Sequence, residues 1–411
     1  MSNMLIKYQK YDDDLFVLTY DNIKFAYAYK QNLLRKIEDN PYDVVKKEQL
    51  RSLNIFDKQE FESHPWEDHP GILIGVTSSC NLHCSYCHVS GGDYTETLTP
   101  EMIFTIKRYI AKGISKKPKS FKIHFHSDGE SLMRQNIVED FVNYAEAIKG
   151  NTEIHYNLVT NGTLITDRNI NLLKKIHNIQ ISLDGVPEIH DKNRGLSKLT
   201  IDAIKLLVEN KLNVSIRATL DHDGLKHMPE FIDMLSVLFE PTEDHPLYLG
   251  AGPIYQGERD IDQADIIDPH FFVLRYLEAK HYAKSKNIKL VNSNENANLP
   301  KNKFCMATDG VFFAPSGVVS SCVRISRESN DRASEFIYGK FDKDHYEIDE
   351  EAYKNLHSLR NVPETCLSCP VLTLCGGSTC YLTRESEYYC AIRIQLLLLQ
   401  RLIASTELER L

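Results

Sequence analysis

Apolar positions along the chain fall into two alternating rhythms. Short strand-like runs, Ile72–Val76, Phe121–His126, Ile154–Val159, Ile179–Leu183, Val214–Leu220 and Leu247–Leu249, are separated by stretches with apolar residues three and four apart. Those stretches, among them Glu101–Ala111, Val138–Ile148, Ile170–Ile176 and Ile201–Asn210, predict amphipathic helices. Strand–helix alternation at this spacing predicts a parallel sheet with crossover helices. Six repeats give an α/β fold, a partial (β/α)6 TIM-like barrel over residues 71–257, whose ligands sit at the C-terminal ends of the strands. Residues 1–70 read as a small α+β unit. In it Leu15–Tyr20 and Ile23–Tyr29 form a hairpin around Asp21-Asn22, and Asn32–Ile37 and Val44–Leu53 have helical spacing. Pro65, Pro70 and Gly71 mark a linker. Residues 258–303 read as a charged, mostly helical connector and 304–395 as a cysteine-rich unit. The chain closes on a helix, Ala391–Ala404, which runs into a C-terminal segment 396–411.

Composition narrows the classes. Hydrophobic residues make up 42% of the 411 and charged residues 26%, as in ordinary globular proteins. A net charge of −9 argues against nonspecific nucleic-acid binding, which needs a basic face. The first residues hold no apolar run of signal-peptide length, and no stretch reaches membrane-span length, so a cytoplasmic protein without a membrane partner is expected. In a reducing compartment the ten cysteines are better explained by metal ligation than by disulfides.

Three of them, Cys80, Cys84 and Cys87, lie in one short loop after the first barrel strand. Three thiolates there can hold three irons of a 4Fe–4S cluster and leave the fourth open to a small molecule. A zinc site or three buried thiols is the alternative. The other seven, Cys305, Cys322, Cys366, Cys369, Cys375, Cys380 and Cys390, are C-terminal, where a zinc ribbon is the alternative.

The three-then-two spacing, with aromatic Tyr86 before the last cysteine, resembles the signature of radical S-adenosylmethionine (radical SAM) enzymes. His126-Ser127-Asp128-Gly129-Glu130 follows the second strand, where that family usually has Gly-Gly-Glu; here Asp128 replaces the first glycine. Thr160-Asn161-Gly162-Thr163 and Ser182-Leu183-Asp184-Gly185, at the ends of the third and fourth strands, also resemble the family. The resemblance implies S-adenosylmethionine as cofactor, with Tyr86, Gly129, Glu130, Asn161, Ser182, Arg217 and Leu249 around it. Ser182 would bond its ribose or carboxylate, and Arg217 its carboxylate, which suits a planar guanidinium. His190, Asp191 and Arg194 read as a structural network bridging a loop. The C-terminal cysteines resemble a SPASM domain with two auxiliary 4Fe–4S clusters, making three clusters in all. By that resemblance Cys305, Cys322, Cys380 and Cys390 ligate the first auxiliary cluster. Cys366, Cys369 and Cys375 ligate the second, with Asp309 as a possible oxygen ligand and an open iron as the alternative.

The resemblance further implies chemistry: one electron cleaves S-adenosylmethionine to a 5′-deoxyadenosyl radical, which removes hydrogen from an unactivated carbon. In sulfatase maturases of this class an aspartate follows the second SPASM cysteine; here Val323 and Arg324 follow Cys322. The expected activity is therefore cross-linking of a ribosomally made precursor peptide. Substrate enters near Tyr248, Tyr255 and Gln256, the N-terminal unit either holds a leader segment or is an ordinary packing extension of the barrel, and a flavodoxin- or ferredoxin-type protein supplies electrons. Maturation of a folded, sulfatase-like protein and a non-catalytic iron–sulfur protein are the other classes.

Overall fold

The computed structural model describes residues 6–12, 15–20, 23–28, 33–37, 69–126, 128–254, 259, 266–293, 310–360, 363–375, 380–383 and 386–404. At the N-terminus, β1 (Lys7–Asp12), β2 (Leu15–Tyr20), β3 (Ile23–Ala28) and β4 (Leu33–Ile37) form a four-stranded antiparallel meander in that order. The expected hairpin is present as β2 and β3, with Leu18 opposite Phe25. The expected helix at Asn32–Ile37 is instead β4. Its Leu33, Leu34 and Ile37 fit helical spacing, but pairing with β3, Tyr27 against Leu34, decides the backbone. Val44–Leu53 lies outside the described residues.

The central strands are β5 (Gly71–Ile74), β6 (Ser120–Phe125), β7 (Glu153–Thr160), β8 (Asn178–Ser182), β9 (Val214–Leu220) and β10 (Leu247–Pro253). They pair in chain order, all parallel, as the alternation of rhythms predicts. Crossovers include α1 (Pro100–Ser115), α2 (Gln135–Ile148), α3 (Ile170–Leu173), α4 (Pro187–Asn193), α5 (Ser197–Glu209), α6 (His222–Lys226) and α7 (Met228–Phe239). Local chemistry sets their starts. Thr99 Oγ1 accepts from Met102 N at the head of α1, and Pro100 sits where no N–H is needed.

Residues 258–303 are not merely a connector. After α8 (Pro269–Ser285), β11 (Ile288–Val291) adds a seventh parallel strand beside β10. Ile288 and Leu290 are buried and Lys289 and Val291 exposed, a two-residue alternation too short to stand out among the surrounding charges.

The cysteine-rich unit continues this sheet at its other edge. β12 (Phe312–Phe313) pairs parallel with β5. Beyond it β13 (Val318–Ser320), β14 (Ile337–Asp342) and β15 (His345–Ile348) follow antiparallel, for eleven strands in one sheet. Short helices α9 (Ala333–Phe336), α10 (Glu350–Asn355) and α11 (Leu372–Cys375) lead to the long α12 (Glu387–Ala404), which packs on α8. The N-terminal meander docks here too. Buried Gln395 of α12 accepts from Ile6 N at 2.9 Å and donates to Ile6 O at 3.2 Å.

Each central strand has two faces. On β9, Val214, Ile216, Ala218 and Leu220 are buried in the core shared with the helices, while Ser215, Arg217 and Thr219 alternate with them. Parallel register carries the second face across the sheet: Ser182 pairs with Arg217, and Arg217 with Gly250. The polar face of the barrel is thus a consequence of strand periodicity.

Candidate cofactor site

The loop after β5 folds back on itself. Ser78 N donates to Glu96 O at 2.9 Å, Gly92 N to Ser78 O at 3.2 Å, and Thr77 and Thr97 bridge through their hydroxyls at 2.9 Å. Arg259 clasps the loop from outside, donating to Cys84 O, to Gly91 O at 3.1 Å and to Asp93 at 2.8 Å. Within it Cys80, Cys84 and Cys87 line a cavity of about 320 Å³ at the C-terminal ends of the strands. All nine described cysteines are free thiols. Among the described residues no three His, Cys, Asp or Glu side chains close on a single ion; these three thiols share the wall of one cavity.

Of the expected cofactor contacts, Tyr86, Gly129, Glu130, Asn161, Ser182 and Arg217 line this cavity. Glu130 is buried, and its carboxylate accepts from Thr160 Oγ1 and Asn161 N at 2.8 Å and from Leu132 N at 3.0 Å. Burial pushes its pKa up against these three bonds. Asn161 ties this turn to the cysteine loop: its Nδ2 donates to Asn81 Oδ1 at 3.0 Å and lies 3.9 Å from Cys80 Sγ. Gly129 leaves no room for a side chain, since a Cβ there would stand 2.1 Å from Ser79 O. The substituted position is tolerated: Asp128 does not have positive φ, and its carboxylate is buried against Arg327. Arg217 lies across Gly250 and Gly252, where added Cβ atoms would be 3.3 and 3.4 Å from its guanidinium nitrogens.

Two expectations fail. Leu249 is not in the cavity wall; it pairs with Ile216 in the helix-facing row and is fully buried there, because side chains alternate and Gly250 holds the inward position. Tyr248 is second in β10, near its N-terminal end, because that strand extends to Pro253 rather than ending at Leu249. Tyr255 and Gln256 lie outside the described residues. Tyr86 lines the cavity but its hydroxyl is engaged, donating to Asp184 Oδ2.

Other wall residues were not anticipated as site residues. Arg194 Nε meets Asp184 Oδ2 at 2.7 Å, its Nη1 lies 3.8 Å from Cys84 Sγ, and it stacks over the Tyr86 ring at 5.2 Å. Arg194, expected in a loop network with His190 and Asp191, thus also touches the cysteine loop. Burial raises the Cys84 pKa and Arg194 opposes the rise; burial raises Cys80 to about 11. His88 and His126 are held neutral by burial, His126 down to about 4. From the cysteine-rich unit, Val323 and Arg324 complete the wall. Of these residues, His88 next to Cys87 and Val323 and Arg324 next to Cys322 carried a sequence signal by adjacency.

The C-terminal cysteines regroup. Cys366, Cys369, Cys375 and Cys390 line one cavity of about 30 Å³ with Val371, Leu372, Arg393 and Ile394. Cys390 was expected with Cys322 and Cys380. Its place in the first turn of α12 puts it, Arg393 and Ile394 on one face, toward the other three thiols. That set brings together four thiols. Cys380 lies near Arg324 Nη1, at 3.8 Å, while Cys305 and Asp309 lie outside the described residues.

Comparison with known proteins agrees with this geometry. Residues 74–235 match the model of the radical SAM superfamily. The chain is 25% identical over 220 residues to the sporulation killing factor maturation protein SkfB of Bacillus subtilis, covering 47% of this chain and 50% of SkfB. To the cysteine-type anaerobic sulfatase-maturating enzyme of Clostridium novyi it is 22% identical over 235 residues, 50% of this chain and 63% of that enzyme. The chain thus spans between half and two thirds of the length of these curated relatives. In fold it resembles Streptococcus suis SuiB bound to its precursor peptide SuiA, with a TM-score of 0.55 at 16% identity over 94% of this chain and 97% of SuiB. Residues 74–235 are therefore a radical SAM domain, of a family that binds S-adenosylmethionine and a 4Fe–4S cluster, joined to a C-terminal extension that resembles SPASM proteins.

Proposed function

We propose that this protein is a radical SAM enzyme that abstracts hydrogen from a ribosomally synthesised precursor peptide and forms a cross-link in it. The observation that carries the reading is the wall of the 320 Å³ cavity, which Cys80, Cys84 and Cys87 share with Ser182, Arg217, Val323 and Arg324. Cys80, Cys84 and Cys87 would hold the cluster. Ser182 and Arg217 would hold the ribose and carboxylate of S-adenosylmethionine, and the Gly129–Glu130 turn its amino group. When bound, the cluster and S-adenosylmethionine supply the radical that takes a hydrogen atom from carbon. The chain's part is to orient the cofactor and keep other hydrogen donors out.

The peptide side of the reading rests on three supports. SkfB is a maturation protein, and SuiB is a fold neighbour seen with its precursor peptide. The position after Cys322, in the cavity wall, is Val323, which offers no carboxylate base of the kind associated with sulfatase maturation. The N-terminal meander has β1 and β4 at its edges, and an extended leader could add to such an edge through backbone hydrogen bonds. Cys366, Cys369, Cys375 and Cys390 would hold one auxiliary cluster; Cys322 and Cys380, with Cys305, would serve another. These clusters would receive the electron released as the substrate radical is oxidised. A flavodoxin- or ferredoxin-type donor would reduce the first cluster.

The test is anaerobic turnover of the iron-loaded protein with short peptides encoded beside its gene. A peptide product two hydrogens lighter, formed together with 5′-deoxyadenosine, is the expected result. Conversion of a sulfatase-derived peptide to formylglycine, with no neighbouring peptide altered, would replace this reading.

A further inference from the structure

One buried carboxylate beside the cofactor turn has no part in the chemistry above. Asp128 is 1% exposed, so its charge must be met inside the protein. Arg327, in the loop after β13, meets it: Nη1 lies 3.1 Å from Asp128 Oδ2. The same guanidinium makes four further contacts, one of them from Nη1 to Ser326 Oγ at 3.1 Å. Its Nη2 donates to Ser78 Oγ at 2.7 Å and to Glu96 Oε2 at 3.2 Å, and its carbon sits 3.6 Å above the Tyr94 ring centre. Ser78 closes the circuit, its hydroxyl 3.4 Å from Asp128 Oδ2. A single side chain of the C-terminal extension thereby joins the loop that carries the three cysteines to the turn that follows β6.

We propose that Arg327 and Asp128 are a positioning pair through which the C-terminal extension sets the conformation of the cofactor turn, and with it the affinity for S-adenosylmethionine; this rests on the radical SAM reading. Besides the bonds of the Glu130 carboxylate to Thr160 and Asn161, the turn has two anchors toward the cysteine loop and the C-terminal extension. One is backbone, Glu130 N to Ser79 O at 2.9 Å. The other is the Asp128 side chain. With Arg327 removed, the buried carboxylate loses its ion-pair partner, and a rearrangement that meets its charge pulls on the residue before Gly129. A glycine at 128 makes no such demand. The substitution at 128 and the arginine at 327 are therefore coupled, and an ion pair that served stability alone would leave cofactor affinity in the folded protein unchanged.

The experiment uses the anaerobically iron-loaded full chain. Affinity for S-adenosylmethionine is measured by equilibrium dialysis, and the shift of the reduced cluster's EPR signal on adding it is recorded alongside. R327M is expected to weaken binding by about 30-fold, in the range seen for groups that orient metal-site ligands. In a D128G background the same change should cost no more than about threefold, because there is no carboxylate at 128 to lose its ion pair. If R327M yields no folded protein, R327K, which keeps the charge but loses the fork, carries the same comparison with a smaller loss. Wild-type affinity in folded, iron-loaded R327M or R327K overturns the proposal, as does an equal loss in both backgrounds. Failure of the wild-type protein itself to bind S-adenosylmethionine would overturn the radical SAM reading as well.

Discussion

The loop after β5 and the first turn of α12 both present thiols to a cavity, but the two cavities are built in opposite ways. The first is about 320 Å³, and its wall carries Arg194, Arg217, Arg324 and Glu130 beside three cysteines. The second is about 30 Å³, with four cysteines, Val371, Leu372 and Ile394, and one guanidinium, Arg393. Three sulfurs and room for a small charged molecule suit a site where binding and bond cleavage happen. Four sulfurs in a tight, mostly apolar box suit a fully ligated cluster that exchanges only electrons. Burial raises thiol pKa in both, to about 11 at Cys80 and about 12 at Cys369. Each thiol would have to lose its proton to ligate iron, so burial acts alike in both cavities and the difference lies in what else can enter.

The sharpest way to break this contrast is Cys84→Ala. It should abolish reductive cleavage of S-adenosylmethionine, a loss of more than about a thousandfold, while the C-terminal iron stays in place. Iron content and 5′-deoxyadenosine yield read the two effects separately. Cleavage at the wild-type rate would remove the first cavity from the chemistry.

A smaller effect is expected at the wall of the same cavity. Arg217→Lys keeps the charge but not the planar fork, and should weaken S-adenosylmethionine binding by roughly 10- to 50-fold. Titration of the iron-loaded variant would show it. Undiminished affinity would mean that Arg217 serves the barrel rather than the cofactor.

Cys390→Ala sharpens the other half of the contrast. It should lose the same spectroscopic cluster as Cys369→Ala, whereas Cys380→Ala should lose a different one. Cleavage of S-adenosylmethionine without peptide should stay within about threefold of wild type, because the first site keeps all its ligands. Matching spectra for Cys390→Ala and Cys380→Ala would restore the grouping expected from chain order.

The central strands were legible in the sequence because their rhythm is local: β9 occupies the very residues its apolar alternation marks. The cysteine loop was legible because its spacing is a chemical constraint on three neighbouring thiols. What was not legible depends on distant parts of the chain. β4 takes its conformation from β3, and β11 is four residues long and acquires meaning only beside β10. The grouping of Cys390 depends on α12 returning to the Cys366–Cys375 segment, and the partner of Asp128 lies in the loop after β13. Chain order contains neither fact.

Leu249 shows the same limit at the scale of one residue, and its replacement is the mildest test of where the first cavity ends. The strand was recognised, but which of its faces looks inward depends on register, and Leu249 pairs with Ile216 rather than with Arg217. It is 0% exposed within the core cluster. Leu249→Ala should therefore cost about 2–5 kcal/mol of stability, as large-to-small changes in a packed core do. Affinity for S-adenosylmethionine in the folded protein should hardly move. Denaturant unfolding and cofactor titration of the one variant separate the two. A variant as stable as wild type that binds S-adenosylmethionine poorly would mean that Leu249 faces the cofactor after all, and that the inward row of β10 is displaced by one residue from Gly250.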